Sequence, residues 1–342
     1  MTALPEQSDN SSTPAVHRVT EGIYRIPLAL PMADLTTVNC YAVTSGSSIT
    51  LVDPGWASPA TEHALSEALS NLGFALADVE QIVVTHTHWD HYTQAIALRD
   101  SYGTQVLVGE QERHTIDAFD KIAGMHPRQA ELLRTCGAPE LADLIKALEH
   151  EEHERDVPFG EPDAWLKDGQ QLSVGDRTLD VHHTPGHTRG HMIVVDSERN
   201  VRITGDHILP RITPSIGFER APEELPLASF LASLARVKSL PNASMLPAHG
   251  QVTPHVHDRV DALLAHHDER FDAVLSQVIS GRHSAVDVAG ALTWTRHERA
   301  LADLSDVHRM LAILEIGAHL DVLAIQGRLT RTDVDGVHHF TI

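Results

Sequence analysis

The apolar run QIVV is followed at once by four side chains that can bind metal ions. In the stretch VVTHTHWDH these are His86, His88, Asp90 and His91. Burying so many imidazole and carboxylate groups without a cation would carry a large desolvation penalty. The motif therefore predicts a strand that ends at a metal site, and it restricts the chain to folds that bring such strand ends together.

The segments around this motif alternate between strand and helix patterns. Residues 17–53 contain short β-rich runs separated by turn residues, which predicts an antiparallel meander. The stretch SPATEHALSEALSNLG has helical spacing and stops at Gly73. After the motif, a helix is expected from about Tyr92 to Tyr102, followed by a strand at QVLVG. The sequence therefore predicts an α/β fold with the metal loop at the carboxyl end of a strand, the usual position of a site in such sheets.

Two further regions interrupt or follow this pattern. Residues from about 110 to 156 are almost wholly helical in pattern, which indicates an insertion. The carboxyl-terminal region has helical runs and then two strand-like segments around Asp335-Gly336, a signal for a hairpin turn. We expect a polar, disordered tail at residues 1–16, a main domain at 17–269 and a small winged-helix-like domain at 270–342.

Three other strand-like runs end in a potential metal ligand. The motifs TPGHTRGH, ITGDH and LPAHG supply His187, Asp206 and His249, each in a turn marked by Gly or Pro. Together with the first motif they could arrive at the same edge of a sheet. Seven donors that diverge in two groups suit two metal ions, and a carboxylate such as Asp206 can bridge a pair of cations.

The motifs together resemble those of the metallo-β-lactamase superfamily, from about residue 17 to 255. They are LVDPG, THTHWDH, TPGHTRGH, TGDH and PAHG. The resemblance implies an αββα four-layer sandwich with the metals at its edge. It further implies that His86, His88 and His187 hold one ion, that Asp90, His91 and His249 hold the other, and that Asp206 bridges them. By the same resemblance, Asp53 hydrogen-bonds the metal-site loop without binding metal, although it could instead only cap the turn at Pro54-Gly55.

Such a site predicts a hydrolase that needs no serine or cysteine nucleophile. Two divalent ions that share a water lower its pKa from about 16 to near neutrality, so that a metal-bridging hydroxide can attack a carbonyl or a phosphorus. Asp90 is the catalytic candidate, because it can relay a proton toward the leaving group. Zinc is the expected metal for a site with five histidines, and manganese or iron would also accept these donors.

We expect the substrate to be a small molecule. The helical insertion could form a lid over the metals and create a partly apolar pocket, which favours an ester, a thioester of the acyl-CoA type or a lactone. Arg211, in the segment after Asp206, is a candidate substrate contact, although it could equally only help to close the fold.

Two alternative functions remain open from the sequence. The winged-helix-like region resembles a module of a superfamily subgroup that includes a mitochondrial single-strand RNA endonuclease, which suggests phosphodiester cleavage. The formal net charge of -21 argues against a nucleic-acid partner. In the other alternative, the chain is a non-catalytic binding protein that the metals stabilise, but the full set of donors disfavours it.

The sequence also restricts where the protein works. Cys40 and Cys136 are its two cysteines and form no CxxC pair, which favours a reducing compartment. We find no signal peptide and no apolar stretch of about 18 residues that could span a bilayer. The expectation is a cytoplasmic protein without membrane contact, with a homo-oligomeric state left open.

Overall fold

The computed structural model of the protein describes residues 16–32, 35–119, 121–122, 124–154, 156–295 and 297–342. The expected disordered tail, residues 1–16, lies outside these ranges except for Val16. The strands of the described part are β1 (His17–Thr20), β2 (Ile23–Ala29), β3 (Thr37–Ser45), β4 (Ser48–Val52), β5 (Val79–Val84), β6 (Gln105–Gly109), β7 (Ala164–Leu166), β8 (Gln171–Val174), β9 (Arg177–His183), β10 (Met192–Asp196), β11 (Val201–Gly205), β12 (Ser244–Pro247), β13 (Thr330–Val334) and β14 (Val337–Thr341).

The helices of the same residues lie between and after these strands. They are α1 (Pro59–Asn71), α2 (Trp89–Tyr102), α3 (Arg113–Phe119), α4 (Pro127–Thr135), α5 (Pro139–Lys146), α6 (Pro226–Ser239), α7 (Val256–Ile279), α8 (Ala285–Ala291) and α9 (Asp306–Ile325). The helix expected from Tyr92 begins three residues earlier, at Trp89, because His88 already has the extended backbone of an N-cap residue.

Two sheets form in the described part of the chain. The first has the strand order β1-β2-β3-β4-β5-β6-β7 and the second has the order β12-β11-β10-β9-β8. Strands β1 to β4 pair antiparallel, as the meander predicted, whereas β4 to β7 pair parallel. A buried cluster that contains Val83 of the first sheet and Val194 of the second fills the space between the sheets.

Helices cover the outer face of each sheet. Helices α1 and α2 pack on the first sheet through a cluster that includes Leu65 and Ile96. A second cluster joins Ile193 and Met245 of the other sheet to Phe230 of α6 and to the helices beyond it. The predicted αββα four-layer sandwich is therefore confirmed.

The predicted insertion forms α3, α4 and α5. Pro127 and Pro139 occupy the first turns of α4 and α5, where a proline ring does not cost a helical hydrogen bond. Helices α4 and α5 pack against each other and against α9, so the insertion is anchored to the carboxyl-terminal helices.

The carboxyl-terminal helices end in a two-stranded hairpin. Strands β13 and β14 pair antiparallel around Asp335-Gly336, and both turn residues have positive φ, as a type I′ turn requires. The winged-helix likeness itself stays a prediction. The expected domain boundary at 269/270 falls within α7, which contacts both α6 and α9, and the division into domains also stays a prediction.

None of the helices in the described ranges combines the length and the apolar character that a membrane crossing requires.

Candidate metal centre

The predicted donors lie at one edge of the sandwich, each shortly after a strand. The first motif follows β5, His187 follows β9, Asp206 follows β11 and His249 follows β12. Parallel pairing of β11 with β12 brings the last two to the same edge. Gly205, at the end of β11, allows a close approach to Thr85, which follows β5. Its φ is +51°, and a Cβ there would lie 2.7 Å from Thr85 Oγ1.

Three histidines and one carboxylate form the first group of donors. Nε2 of His187 lies 3.2 Å from Nε2 of His86 and 3.2 Å from Nδ1 of His88. The Oδ2 atom of Asp206 lies 3.6 Å from the same His187 nitrogen. The donor atoms of this group all lie within 4.8 Å of one another. The group contains the three histidines that the resemblance assigns to the first ion.

The second group contains Asp90, His91 and His249. Oδ2 of Asp90 lies 3.4 Å from Nε2 of His249 and 3.5 Å from Nε2 of His91. The second oxygen of Asp206, Oδ1, lies 3.3 Å from Nε2 of His249. Asp206 thus presents one carboxylate oxygen to each group, which is the arrangement expected of a bridging ligand.

Four of the histidines have their protonated nitrogen fixed by an outward hydrogen bond. His88 Nε2 donates to the main-chain oxygen of Phe218 at 2.7 Å, and His187 Nδ1 donates to that of Ser215 at 2.7 Å. His249 Nδ1 donates to an oxygen of the β3 strand at 2.8 Å. A carbonyl oxygen only accepts, so the bonded nitrogen of each ring carries a proton, and the other nitrogen faces the cluster.

The same assignment follows for His86 through Thr85. The Thr85 hydroxyl donates to Oδ2 of Asp53 at 2.8 Å, so its oxygen accepts from His86 Nδ1 at 3.1 Å. The Nε2 lone pair of His86 therefore also points inward. Three lone pairs then face one another at about hydrogen-bond distance with no proton between them, an arrangement that a cation would stabilise.

The spacing of the donors fits a metal ion. Ligands that surround a zinc ion tetrahedrally at 2.0–2.1 Å are separated from each other by about 3.3 Å. The nearest donor distances in the two groups are 3.2 Å and 3.4 Å. In addition, Nε2 of His91, Nε2 of His249 and Oδ1 of Asp206 are buried and make no hydrogen bond with the described residues. The donor set therefore fits divalent cations at both groups.

Two imidazoles of the first group, those of His86 and His187, are neutral at pH 7. Burial lowers the pKa of His86 well below its usual value, and the neighbouring His91 lowers it further. Burial and the nearby His88 lower the pKa of His187 to about 4. Neutral imidazole is the form that binds a metal.

Carboxylates dominate the electrostatics of the second group. Burial by itself would lower the pKa of His91, but Asp90, Asp53 and Asp206 raise it to about 9. Burial opposes charge at His249 as well, yet Asp206 and Asp90 raise its pKa well above its usual value. The potential around these rings is negative, and a divalent cation would take the place of the protons.

Asp53 supports the metal loop from behind. Its Oδ1 atom accepts from the main-chain nitrogen of Thr85 at 2.8 Å, and its Oδ2 atom lies 3.0 Å from Nδ1 of His91. These contacts agree with the predicted role of a residue that orients the loop, and Asp53 belongs to neither group of donors.

The sequence analysis missed Glu112, a fully buried carboxylate that joins two metal loops. The hydroxyls of Thr87 and Thr188 each donate to one of its oxygens, and the main-chain nitrogen of Gly190 donates to it at 3.1 Å. Thr87 lies between two donors of the first motif, and Thr188 follows His187. No local pattern distinguishes Glu112 from the exposed acidic residues around it.

A cavity of about 320 Å³ opens directly onto the donors. Its polar floor includes His88, Asp90, His187 and Asp206, and much of its wall is apolar. The apolar and aromatic side chains of the wall are Met32, Leu35, Trp56, Trp89, Phe119, Met125, Phe159 and Phe218. Phe119 and Met125 belong to the predicted insertion, so this segment contributes to the wall of the cavity, and its role as a lid stays a prediction.

The structure does not bring Arg211 to this cavity. Its side chain is exposed and is not among the residues that line the wall, so its role as a substrate contact stays a prediction without geometric support. A different cation, Arg220, lines the cavity instead. Its position nine residues later depends on the course of an irregular loop, which no sequence periodicity specifies.

The chain is similar to known proteins over most of its length. The family model described as Metallo-beta-lactamase superfamily matches residues 33–263. A metallo-beta-lactamase family protein of Thermus thermophilus, known from its crystal structure, is 26% identical, with a TM-score of 0.76. That match covers 95% of this chain and 99% of the Thermus chain.

Two fungal relatives also match. The lactamase-like protein aptB of Emericella nidulans is 25% identical over 296 residues, which are 86% of this chain and 77% of that protein. The atrochrysone carboxyl ACP thioesterase of Aspergillus fumigatus is 25% identical over 245 residues, which are 72% of this chain and 45% of the relative. The second match thus spans less than half of the relative's length.

Proposed function

The chain belongs to the metallo-beta-lactamase superfamily, and we propose that it is a dinuclear metal-dependent hydrolase of an ester, a thioester or a lactone. Membership of this family supports metal-dependent hydrolysis in general, whereas the acyl substrate is the more specific part of the proposal. One observation carries the proposal. Seven donors, six of them buried, converge in two groups that share Asp206, and outward hydrogen bonds turn the second ring nitrogen of four imidazoles inward.

Each group would hold one divalent ion. His86, His88 and His187 would bind the first ion. Asp90, His91 and His249 would bind the second. When bound, such ions lower the pKa of water toward neutrality and polarise the oxygen of the group under attack. Zinc is the expected metal, because imidazole and carboxylate donors at this spacing suit it.

Asp90 is the residue that we propose to move a proton. Its carboxylate lies in the first turn of α2, is 8% exposed and lines the cavity floor. It can therefore reach both the donor cluster and a substrate in the cavity. A carboxylate in this position can accept a proton from the attacking water and pass it to the departing alkoxide or thiolate.

The wall of the cavity supports an acyl substrate. Trp56 and Trp89 meet edge to face at 5.6 Å between ring centroids, and Phe119 stacks on Phe159 at 4.1 Å. Such a wall would take up an apolar acyl chain or ring and exclude water from it. The thioesterase named among the relatives points in the same direction.

Hydrolysis of nucleic acid is less well supported. The net charge of -21 gives a phosphate backbone no general electrostatic attraction. Of the residues lining the cavity, Arg220 is the one guanidinium among the described residues, and no lysine lines it. Single-stranded RNA therefore serves as the competing substrate in the test.

The proposal is tested by metal analysis and by a substrate panel. We expect about two metal ions per purified chain and hydrolysis of a p-nitrophenyl ester or an acyl-CoA. Asp90→Ala should lower kcat at least about a hundredfold, because it removes the proton relay. The matched control is Asp100→Ala, a substitution of an exposed carboxylate on the same helix, which should retain activity.

Each outcome distinguishes the alternatives. Folded protein that carries no metal as purified and binds no added zinc would reject the metal centre. Cleavage of single-stranded RNA without any esterase, thioesterase or lactonase activity would replace the acyl substrate with a phosphodiester. Metal binding with no hydrolysis of any of these substrates would favour a binding protein.

A further inference from the structure

Arg220 has no carboxylate partner within 4 Å among the described residues. Its Nη1 atom donates to the main-chain oxygen of Ile122 at 2.8 Å, and its guanidinium carbon lies 4.8 Å from the ring centroid of Phe119. Nε and Nη2 make no hydrogen bond with the described residues. Burial lowers the pKa of this side chain, and no opposite charge offsets the effect. The cavity thus contains a partly buried positive charge with spare donors.

Other buried arginines of the protein are more fully satisfied. Arg177 pairs with Asp196, and its second terminal nitrogen donates to Glu21. Arg202 has no carboxylate partner among the described residues, but both of its terminal nitrogens donate to main-chain oxygens, and it does not line the cavity at the donors. Arg220 differs from both, because it faces a cavity and two of its nitrogens make no hydrogen bond within the described ranges, so they can bind another molecule.

Apart from Asp90 and Asp206 of the donor groups, the acidic residues that line the same cavity are Glu154 and Glu219, and both are engaged elsewhere. Glu219 accepts from Thr115 Oγ1 and from the main-chain nitrogen of Arg189, both at 2.7 Å. Burial and the nearby Glu112 raise the pKa of Glu219 well above its usual value, so it adds little negative charge. Glu154 accepts from the main-chain nitrogen of Glu151 at 2.9 Å. Neither carboxylate lies within 4 Å of the Arg220 guanidinium.

The surroundings of Arg220 connect it to the donor cluster. Two residues earlier, the main-chain oxygen of Phe218 accepts from His88. The ring of Phe218 lies 5.1 Å from that of His126, another residue of the cavity wall. Burial and the charge of Arg220 lower the pKa of His126 to about 4, so this ring is neutral at pH 7. Within the described part of the chain, Arg220 is therefore the one guanidinium on the wall of the cavity that opens onto the donors.

We infer that the substrate carries an anionic group in addition to the bond that is cleaved, and that this group pairs with Arg220. The inference rests on the proposed hydrolase function and adds the substrate class. A carboxylate or phosphate could receive two parallel hydrogen bonds from the free edge of the guanidinium, while the aromatic wall takes up the rest of the substrate. Arg220 would act as a specificity-determining residue and would not take part in the proton transfers.

The anionic group could belong to the acyl part or to the leaving group, and a matched substrate set separates the two sources. The acyl parts are pentanoyl and glutaryl, which have the same chain length and differ in a terminal carboxylate. Each is presented as the CoA thioester, whose leaving group carries phosphates, and as the N-acetylcysteamine thioester, which is neutral. Kinetics are measured with the metal-loaded wild-type protein, with Arg220→Gln and with Arg220→Lys.

We expect the wild type to prefer an anionic substrate by about tenfold to a hundredfold in kcat/KM. Arg220→Gln should lose this preference mainly through KM and should change activity on neutral pentanoyl-N-acetylcysteamine less than threefold. Arg220→Lys should keep part of the preference, because the charge remains but the two-pronged geometry does not. A preference that follows glutaryl identifies an acyl carboxylate, and one that follows CoA identifies a phosphate.

Two results would overturn the inference while leaving the hydrolase proposal intact. One is equal use of all four thioesters by the wild type. The other is an equal loss on neutral and anionic substrates in Arg220→Gln, which would indicate that Arg220 only supports Phe119 and the loop at Ile122. If the wild type hydrolyses none of the four thioesters and no p-nitrophenyl ester, the acyl hydrolase function fails and the inference fails with it.

Discussion

The carboxylate of Asp53 lies 3.0 Å from Nδ1 of His91, so a side chain outside the donor set turns the Nε2 atom of this ring toward the other donors. Asp53→Asn would place an amide against that nitrogen and against Thr85, whose main-chain nitrogen and hydroxyl both donate to the present carboxylate. We expect metal affinity to fall about tenfold to a hundredfold, as for other groups that orient metal ligands.

Competition with a fluorescent chelator measures this affinity. Asp176→Asn changes an exposed turn residue in the same way and should bind metal as the wild type does. If Asp53→Asn matches that control, Asp53 only caps the turn before Pro54.

Glu112→Gln should destabilise the protein and weaken the metal site together. An amide has one acceptor oxygen in place of two, so it cannot accept from Thr87, Thr188 and Gly190 as the carboxylate does. We expect a loss of about 1–3 kcal/mol in the free energy of unfolding, because buried donors are left unsatisfied. Urea unfolding of the metal-loaded protein measures it, with Glu110→Gln, an exposed neighbour, as the control. Equal midpoints for the two variants would show that Glu112 does not join the loops.

Removal of metal should lower thermal stability and abolish activity. Without cations the lone pairs of His86, His88 and His187 face one another, and the buried carboxylates of the second group lack a counter-charge. Ligands that bind only the folded state raise its stability in proportion to the logarithm of their concentration over Kd. We expect a chelator to lower Tm by about 10 °C and added zinc to restore both Tm and activity. An unchanged Tm together with complete metal loss would contradict this.

Stability should also fall as the pH is lowered, because of a buried pair of histidines far from the donors. His267 Nδ1 lies 3.1 Å from His319 Nε2 between α7 and α9. Burial, and then His319, lower the pKa of His267 to about 3, and burial lowers that of His319 to about 4. Because the unfolded rings keep a pKa near 6.5, the unfolded state binds more protons below that pH. Each ring therefore costs up to about 1.4 kcal/mol of stability per pH unit between pH 6.5 and 4.

Urea midpoints between pH 8 and pH 4 test this dependence. His266 and Arg270 add positive charge near the pair, and Glu315 lies beside Arg270, so the comparison is made between variants of the pair alone. His267→Leu should reduce the slope of the free energy of unfolding against pH below pH 6.5, by an amount that corresponds to up to one bound proton. His63→Gln, at an exposed position, should leave the slope unchanged. Identical slopes in all three proteins would mean that His267 becomes protonated while folded.

The sequence alone determined the chemical character of the site. The donors follow apolar strands within a few residues, and this local pattern specifies both the strand end and the turn that carries each side chain. For the same reason the α/β class and the meander of β1 to β4 could be predicted, whereas the sandwich followed from the resemblance of the motifs to a known superfamily. Parallel pairing then brings separate strand ends to one edge without further information.

Only the tertiary structure decided how the donors are oriented and what the cavity recognises. The acceptor for His88 is Phe218, 130 residues later, and Glu112 joins loops that are distant in sequence. Arg220, and not the exposed Arg211, lines the cavity because an irregular loop folds over the donors. Such partners are selected by packing between segments far apart in the chain. Periodicity and turn residues describe only near neighbours, so the sequence supplied the ligands, and the packed fold supplied their orientation and the cavity around them.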